Sequence, residues 1–267
     1  MKIGFIGAGN MGGAIIKGLR NADPAAIIYV YTPHPEKLEQ LKEEYGVIPQ
    51  KTIADLAHKS DNIVLAVKPN KIDEVLAEVK EALGDKATEK LYISIAAAIT
   101  ISHMQGIVGG DAKIIRIMPN TPVLVNEGMS SISPGQGVSD EELKLVKDVF
   151  DGVGKTVVVP EDMIHAVISV SGSSPAYTYM YINALIENGV KQGITEESAK
   201  ELAVQAVRGA AKMVLETGVD PLILRDNVCS KGGTTIEAVH VLEDEDFMGI
   251  VDKAADATSN RSKELTV

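Results

Sequence analysis

The stretch Lys2-Ile3-Gly4-Phe5-Ile6-Gly7-Ala8-Gly9-Asn10-Met11-Gly12 decides the fold class of this chain. Lys2–Ile6 is short and β-rich, and Met11–Arg20 repeats apolar residues at the three- and four-residue spacing of an amphipathic helix. Gly7–Gly12 fits G-x-G-x-x-G, the pattern that joins a first strand to a first helix in dinucleotide-binding domains. This order of strand, glycine-rich turn and helix predicts a Rossmann-type α/β domain at the start of the chain.

Each glycine of the pattern has a physical role. Gly7 permits the tight turn, Gly9 lets the backbone approach a pyrophosphate, and Gly12 allows the helix to pack closely. The free amides at the helix start then face the anion. The alternative is a glycine-rich turn without a ligand. The predicted cofactor-binding residues of this turn are Gly7, Ala8, Gly9, Asn10, Met11 and Gly12.

The residues after the second predicted strand bear on the choice of cofactor. An NAD-selective site usually has an Asp or Glu there, against the ribose 2′-hydroxyl, but Tyr31-Thr32-Pro33-His34 contains no acid. Thr32, His34 and Lys37 could instead surround a 2′-phosphate, which favours NADPH and leaves NADH as the alternative. These residues could also form only a turn and a helix start, and no arginine lies among them.

The chain divides into two parts near Pro160. Before it, strands alternate with helices, which predicts a mostly parallel, doubly wound sheet. The predicted strands are Lys2–Ile6, Ile27–Tyr31, Asn62–Val67, Leu91–Ile95, Lys113–Met118, Gly128–Ser133 and Thr156–Val159. The predicted helices between them are Met11–Arg20, Pro35–Tyr45, Ile72–Leu83 and Asp140–Phe150. We therefore expect a dinucleotide-binding Rossmann domain over residues 1–160.

Only helices are predicted after Pro160. They are Pro175–Gln192, Thr195–Thr217, Pro221–Asn227, Thr235–Glu243 and Phe247–Lys263. Thr195 is placed to cap a helix start, and Gly218 stands where that helix should end. Ala199–Leu215 carries apolar residues around much of its circumference, more than one side of a small domain would cover. Residues 161–267 are thus predicted to form an all-α domain that joins subunits in at least a dimer.

Composition limits the classes of partner. With 267 residues, 45% of them hydrophobic, the chain can bury a large core. Its net charge of −11 would repel a phosphate backbone, which argues against nucleic-acid binding. One cysteine, Cys229, excludes an internal disulfide, and the histidines lack ligand spacing, so no metal site is predicted. The expected partners are a small-molecule substrate and further copies of the chain.

The sequence contains no recognisable targeting or membrane-spanning segment. Met1–Gly7 runs directly into a strand, without the basic and apolar regions of a signal peptide. No stretch approaches the roughly 20 apolar residues that span a bilayer. We therefore expect no membrane association and a cytoplasmic location.

Six short segments together resemble the pyrroline-5-carboxylate reductase family over nearly the whole chain. Each is short, but their order and spacing are specific. They are Gly7-Ala8-Gly9-Asn10-Met11, Ala66-Val67-Lys68-Pro69, Ser94-Ile95-Ala96-Ala97, Met118-Pro119-Asn120-Thr121-Pro122, Ser171-Gly172-Ser173-Ser174-Pro175-Ala176-Tyr177 and Gly232-Gly233-Thr234-Thr235. The resemblance implies reduction of 1-pyrroline-5-carboxylate to L-proline with NAD(P)H, and a helical C-terminal domain that interlocks two subunits.

The same resemblance assigns further residues to the cofactor site. They would line its adenosine, ribose and nicotinamide portions; the alternative for each is ordinary packing at a strand end. These residues are Val67, Lys68, Pro69, Ala96, Ala97 and Asn120. The chain departs from the family pattern at three positions. Ala98 and Ser174 stand where glycine is usual, and Lys231 replaces a proline before Gly232.

The loop Ser230–Thr235 is the predicted substrate site. By the resemblance, the hydroxyl of Thr235 contacts the substrate and serves as the catalytic group. The amides of Gly232, Gly233, Thr234 and Thr235 would surround the substrate carboxylate, with Ser230 beside them, as free amides at a helix start can. The alternative is structural, because Thr234 and Glu237 have the T-x-x-E spacing of a capping box. Lys231 would either strengthen carboxylate binding or point to solvent.

Two other functions compete with this prediction. The first is another NADP-dependent imine or hydroxyacid oxidoreductase of similar plan; hydroxyacid dehydrogenases need a base for the hydroxyl proton. Such enzymes place a Lys on the long helix after the Rossmann domain, and Pro175–Asn183 has none. The second is a non-enzymatic dinucleotide sensor, for which the chain shows no DNA-binding module.

Overall fold

The computed structural model describes all residues from 1 to 267. Packing divides them into two compact units. The first contains Met1–Ser173 together with Thr258–Val267, and the second contains Ser174–Ala257. Residues 161–173, which the sequence assigned to the helical domain, thus pack with the first unit; the functional division at residue 160 stays a prediction.

An eight-stranded sheet forms the centre of the first unit, in the order β3-β2-β1-β4-β5-β6-β7-β8. The strands are β1 Lys2–Ile6, β2 Ile27–Tyr31, β3 Ile48–Pro49, β4 Asn62–Leu65, β5 Leu91–Ser94, β6 Lys113–Met118, β7 Gly128–Pro134 and β8 Gly154–Val158. All neighbouring pairs are parallel except β6 and β7, which are antiparallel. The predicted mostly parallel, doubly wound sheet is confirmed.

Helices cover both faces of this sheet. They are α1 Asn10–Ala22, α2 Pro35–Tyr45, α3 Ile53–Lys59, α4 Ile72–Leu83, α5 Ile101–Val108, α6 Asp140–Asp151 and α7 Ile164–Val167, which continues into a π-helix at Ile168–Gly172. One core joins Phe5 of β1 to Ile15 of α1, and the other joins Ile6 to Leu76 of α4. Adjacent residues of β1 serve opposite cores because strand side chains alternate between faces. Burial on both sides explains why these strands are almost continuously apolar.

Three short elements were not predicted from the sequence: β3, α3 and α5. β3 has two residues and α3 has seven, both too short for a periodic pattern to stand out. α5 contains Gly106 and two β-branched isoleucines, which weaken its helical signal. Both helices nevertheless begin with a threonine cap. Thr52 accepts from the amide of Asp55 at 3.0 Å, and Thr100 accepts from the amide of His103 at 3.1 Å.

The second unit is helical, as predicted. It contains α8 Ser174–Lys191, α9 Glu196–Thr217, α10 Pro221–Val228, α11 Thr234–Asp244 and the first part of α12 Phe247–Leu265. Thr195 caps α9 by accepting from the amide of Ser198 at 3.3 Å, and Gly218 ends it with φ +64°. α8 packs on α9 where Gly189 faces Ala199.

This unit exposes many large apolar side chains when the chain is considered alone. On α9, Leu202 is 61% exposed and Leu215 is 77% exposed, and Met180 on α8 is 73% exposed. An apolar surface of this extent is typical of a subunit interface. None of the helices combines the length and the apolarity needed to cross a membrane.

Candidate active site

The carboxyl ends of β1, β4, β5 and β6 lie side by side at one edge of the sheet, because these strands are parallel neighbours. The chain continues from β1 to β2, which lies on one side of β1 in the sheet, and β4 lies on the other side of β1. In doubly wound sheets, this change of direction opens a crevice where ligands bind. The predicted dinucleotide turn follows β1 at this point, so the topology and the motif indicate the same site.

Gly7 and Gly12 are required by close packing of the turn. Gly7 has φ +96°, and a Cβ on it would lie 2.4 Å from the carbonyl oxygen of Ala66. A Cβ on Gly12 would lie 3.0 Å from the carbonyl oxygen of Gly7 and 3.1 Å from Cβ of Ala66. The loop after β4 therefore approaches the turn so closely that only glycine fits at these two positions without a shift.

Gly9 differs, because no atom lies within 4 Å of the place that a Cβ on it would occupy. Gly9 is the N-cap of α1, its carbonyl accepts from the amide of Gly13 at 2.9 Å, and no side chain caps the helix. The amides of Asn10, Met11 and Gly12 in the first turn have no acceptor within the protein. Open space above free amides at a helix start suits a phosphate group.

The region around the end of β2 gives the predicted 2′-phosphate site only partial support. Lys37, together with Gly9 and Lys17, lines a cavity of about 240 Å³ between α1 and α2. Thr32 is buried, and His34 points to solvent with Nδ1 3.6 Å from Oε1 of Glu36. Neither residue lines the cavity. Tyr31–His34, the stretch without an acid, ends two residues before Glu36. The carboxylate of Glu36 lies beside His34 and would repel the negative charge of a 2′-phosphate there.

The predicted residues after β4 follow the same sheet edge. Val67 is half-buried, and its Cγ1 lies 3.0 Å from the place that a Cβ on Gly7 would occupy. Lys68 and Pro69 are exposed, and a short 3₁₀ turn starts at Pro69. The structure thus brings Val67 directly beside the glycine turn and leaves Lys68 at the surface.

The loop after β5 contains Ala96 and Ala97. Ala96 is buried and donates its amide to Oγ of Ser94 at 3.3 Å, whereas Ala97 is exposed. Ala98 has φ +67°, a left-handed conformation that favours glycine. Ala98, which stands where the family usually has glycine, therefore occupies a position of backbone strain. The carbonyl of Ala98 accepts from the amide of Val267 at 2.9 Å, so the last residue of the chain pairs with this loop.

Asn120 follows β6 and is 8% exposed. Its Oδ1 accepts from the amide of Met129 at 2.8 Å, and its Nδ2 donates to the carbonyl of Ser171 at 3.0 Å. The Asn120 side chain therefore bonds at both ends within the protein. Its position at the sheet edge agrees with the prediction, but these contacts are structural.

The predicted substrate loop Ser230–Thr235 belongs to the second unit. Helix α11 begins at Thr234, so Gly233 is its N-cap and no side-chain cap bond is made. The capping-box alternative is therefore wrong, because Thr234 already lies inside the first turn. The amide of Gly233 donates to the carbonyl of Ser230 at 2.9 Å, which removes it from the proposed carboxylate donors. Thr234 and Thr235 keep free amides and are exposed, as is Lys231.

An ion pair of the buried Arg116 close to the sheet edge was not predicted from the sequence. Arg116 lies on β6 with 3% of its side chain exposed, and its Nη1 is 2.9 Å from Oε1 of Glu161. The same carboxylate oxygen accepts from the amide of Ile101 at 2.8 Å, at the start of α5. An arginine inside a predicted apolar strand was the available signal, because a buried charge needs a partner.

His165 lies near this pair. Burial, followed by the positive charge of Arg116, lowers the pKa of His165 below its usual value. The imidazole is therefore mainly neutral near pH 7, and its Nδ1 lies 2.9 Å from Oγ of Ser262. No group of three or more His, Cys, Asp or Glu side chains is arranged to hold a metal ion.

Two family models match this chain. The model described as pyrroline-5-carboxylate reductase dimerisation matches residues 161–265. The model described as NADP oxidoreductase, coenzyme F420-dependent, matches residues 2–98. The two matches fall on the helical part of the chain and on the glycine turn with its following strands.

Individual proteins match over almost the full length. The pyrroline-5-carboxylate reductase of Escherichia coli (strain K12) is 44% identical over 267 residues, covering 99% of this chain and 98% of that protein. The solved structure of a pyrroline-5-carboxylate reductase from Coxiella burnetii is 36% identical with a TM-score of 0.93, covering 99% of this chain and 98% of that one. The Plasmodium falciparum pyrroline carboxylate reductase, solved with NADP bound, is 32% identical with a TM-score of 0.87, covering 100% of this chain and 98% of that one.

Proposed function

We propose, from the premise that this chain belongs to the pyrroline-5-carboxylate reductase family, that it reduces 1-pyrroline-5-carboxylate to L-proline with NADPH. The observation that carries the proposal is the start of α1, where Gly9 leaves open space above three free amides. This arrangement suits a dinucleotide pyrophosphate. The reaction makes the enzyme an NAD(P)H-dependent oxidoreductase of proline biosynthesis.

The chemistry makes modest demands on the protein. When bound, the reduced nicotinamide supplies a hydride to the imine carbon, and a proton on the ring nitrogen completes the amine. A protonated imine is already electrophilic, so the protein must mainly orient the ring and exclude water. A strong general base is not required, in contrast to the oxidation of a hydroxyacid.

The cofactor would be held at the carboxyl edge of the sheet. Gly7–Gly12 would bind the pyrophosphate, and Val67–Pro69, Ala96 and Ala97 would line the remaining edge, with Asn120 following β6 behind them. Lys37 is the cation that supports the choice of NADPH, since it lines the cavity beside Gly9. NADP bound to the Plasmodium falciparum relative supports the same choice. Glu36 acts against it, so we expect a preference and not exclusive use.

The substrate carboxylate would be bound by the loop before α11. Gly232 has φ +69°, which turns the chain into the helix and leaves the amides of Thr234 and Thr235 free. These amides, with that of Gly232, would receive the carboxylate, and the hydroxyl of Thr235 would contact the ring. Lys231 and Ser230 would flank the bound anion. In this proposal Gly233 contributes to the shape of the loop and not to donation.

The active form would be a homo-oligomer, at least a dimer, joined through the C-terminal helices. The exposed apolar residues of α8 and α9 support this assembly, as does the dimerisation family model matched at residues 161–265. Light scattering that shows a stable, fully active monomer would refute it. The cytoplasmic location stays a prediction, which fractionation of the producing cells can check.

A steady-state assay with an imine panel tests the function. We expect oxidation of NADPH with 1-pyrroline-5-carboxylate, a much lower kcat/KM with 1-pyrroline, which lacks the carboxylate, and no turnover of hydroxyacids. NADH should support a lower kcat/KM than NADPH. Equal rates with both imines would contradict the carboxylate site, and turnover of hydroxyacids would favour the competing dehydrogenase.

A further inference from the structure

Pro175 lies within a chain segment that is helical from Ile164 to Lys191 apart from Ser173. A proline has no amide hydrogen, and its ring collides with the carbonyl four residues earlier, which here belongs to Ser171. The structure widens the preceding turn into a π-helix at Ile168–Gly172, in which the amide of Ser173 donates to the carbonyl of Ile168 at 2.9 Å. Such single π-turns are frequent at functional sites.

The carbonyl of Ser171 therefore cannot receive the usual helical hydrogen bond. It accepts instead from Nδ2 of Asn120, at 3.0 Å. The opposite end of this amide group, Oδ1, accepts from the amide of Met129 on β7 at 2.8 Å. Because Met129 supplies a donor and Ser171 an acceptor, the orientation of the Asn120 amide group is determined.

The widened turn lies at the carboxyl edge of the sheet. A Cβ on Gly172 would lie 3.6 Å from Cε of Met118, the last residue of β6. Asn120 follows that strand two residues later and is almost fully buried. The side chain of Asn120 thus links the chain after β6 to the start of β7 and to the turn Ser171–Ser173.

We propose that Asn120 is a positioning residue, which holds the turn Ser171–Ser173 at the sheet edge and does not bind the cofactor through its side chain. This inference rests on the proposed function, because the turn matters to turnover only if the edge of the sheet is the active site. It replaces the cofactor contact that the family resemblance implied for the Asn120 side chain. It also gives Pro175 a role, as the residue that leaves the Ser171 carbonyl without a helical donor.

A double-mutant cycle with Pro175→Ala tests the proposal. Alanine at position 175 returns an amide hydrogen four residues after Ser171, and we expect this amide to replace Asn120 as the donor to the Ser171 carbonyl. In the wild-type background, Asn120→Ala should lower kcat/KM for 1-pyrroline-5-carboxylate at least about tenfold. A small displacement of the turn Ser171–Ser173 at the active site would have a large effect on rate. In the Pro175→Ala background, the same substitution should lower kcat/KM by less than about threefold, because only the bond to Met129 is then lost.

Two further measurements separate positioning from cofactor binding. The Kd for NADPH, from a fluorescence titration without substrate, should change less than about twofold in Asn120→Ala. Asn120→Asp keeps an acceptor for Met129 and loses the donor to Ser171, so it should lose as much activity as Asn120→Ala. An equal penalty for Asn120→Ala in both backgrounds, or a Kd that rises with the loss of activity, would overturn the proposal.

The same double-mutant cycle can also be measured through the melting temperature (Tm) of each variant. Asn120→Ala should lower Tm more in the parent than in the Pro175→Ala background. This readout does not depend on the substrate, so it tests the exchange of hydrogen bonds even if the wild-type protein fails to reduce 1-pyrroline-5-carboxylate. A wild type without that activity would contradict the proposed function, whereas equal Tm penalties in both backgrounds would contradict the role of Asn120.

Discussion

The buried guanidinium of Arg116 pairs with the partly exposed carboxylate of Glu161: 2.9 Å separates Nη1 from Oε1, and 3% of the Arg116 and 29% of the Glu161 side chain is exposed. Removal of Glu161 leaves the buried charge of Arg116 without compensation. Glu161→Ala should therefore lower the free energy of unfolding by about 3–5 kcal/mol. It would also remove the acceptor for the amide of Ile101.

Urea denaturation measures this effect, and Asp148→Ala is the matched control. Asp148 pairs with Lys144 at 2.6 Å, but both side chains are more than half exposed. An exposed helical pair contributes about 0.3–0.5 kcal/mol, so this control should lose no more than that. Similar losses in the two variants would show that the Arg116–Glu161 pair is solvated in solution.

The glycine turn allows cofactor binding to be separated from folding. Gly9→Ala adds a methyl group where no protein atom lies within 4 Å, so its melting temperature should fall only slightly, through the weaker N-cap preference of alanine. If the pyrophosphate occupies that space, the KM for NADPH should rise at least about tenfold, equivalent to about 1.4 kcal/mol. Gly7→Ala should instead destabilise the fold, because its Cβ would lie 2.4 Å from the carbonyl oxygen of Ala66. An unchanged KM in Gly9→Ala would place the cofactor elsewhere.

Ala98 offers a gain of stability. Its φ of +67° costs an L-residue roughly 1–2 kcal/mol, which glycine avoids, while glycine loses about 0.5–1 kcal/mol through backbone entropy. Ala98→Gly should therefore stabilise the protein by a net of about 0.5–1 kcal/mol in thermal unfolding. Ala97→Gly is the control: its position has no positive φ, so it should be neutral or destabilising. A loss of stability in Ala98→Gly would mean that the backbone strain is relieved in solution.

Thr235→Val tests the substrate loop. Because Gly233 is the N-cap of α11 and no side chain caps this helix, loss of the Thr234 or Thr235 hydroxyl should leave the melting temperature unchanged. We expect Thr235→Val to lower kcat/KM at least about tenfold, or about 1.4 kcal/mol of transition-state stabilisation. Thr235→Ser, which keeps the hydroxyl, should retain most of the activity. Full activity of Thr235→Val would exclude this hydroxyl from the reaction.

Much of the fold was predictable because its signals are local. The periodic apolar patterns of the C-terminal helices, the cap at Thr195 and the terminating Gly218 each depend on residues a few positions apart. Short elements such as β3 and α3 were not predicted, since their two and seven residues are too few to show a periodic apolar pattern. At the cofactor edge, the residues at the strand ends were predictable, but the approach of the Glu36 carboxylate to His34 was not predicted.

The sequence by itself determined the glycine turn after β1, since a positive φ at Gly7 and a close approach at Gly12 are requirements that only one residue type meets. It also determined the order of the longer strands and helices along the chain, through patterns that repeat within each element. Only the tertiary structure decided the roles of Asn120 and Arg116. Their partners, Ser171 and Glu161, lie 51 and 45 residues away along the chain. No local pattern specifies such a pairing, because it arises when the packed sheet brings a buried polar group to a distant one that must also be satisfied.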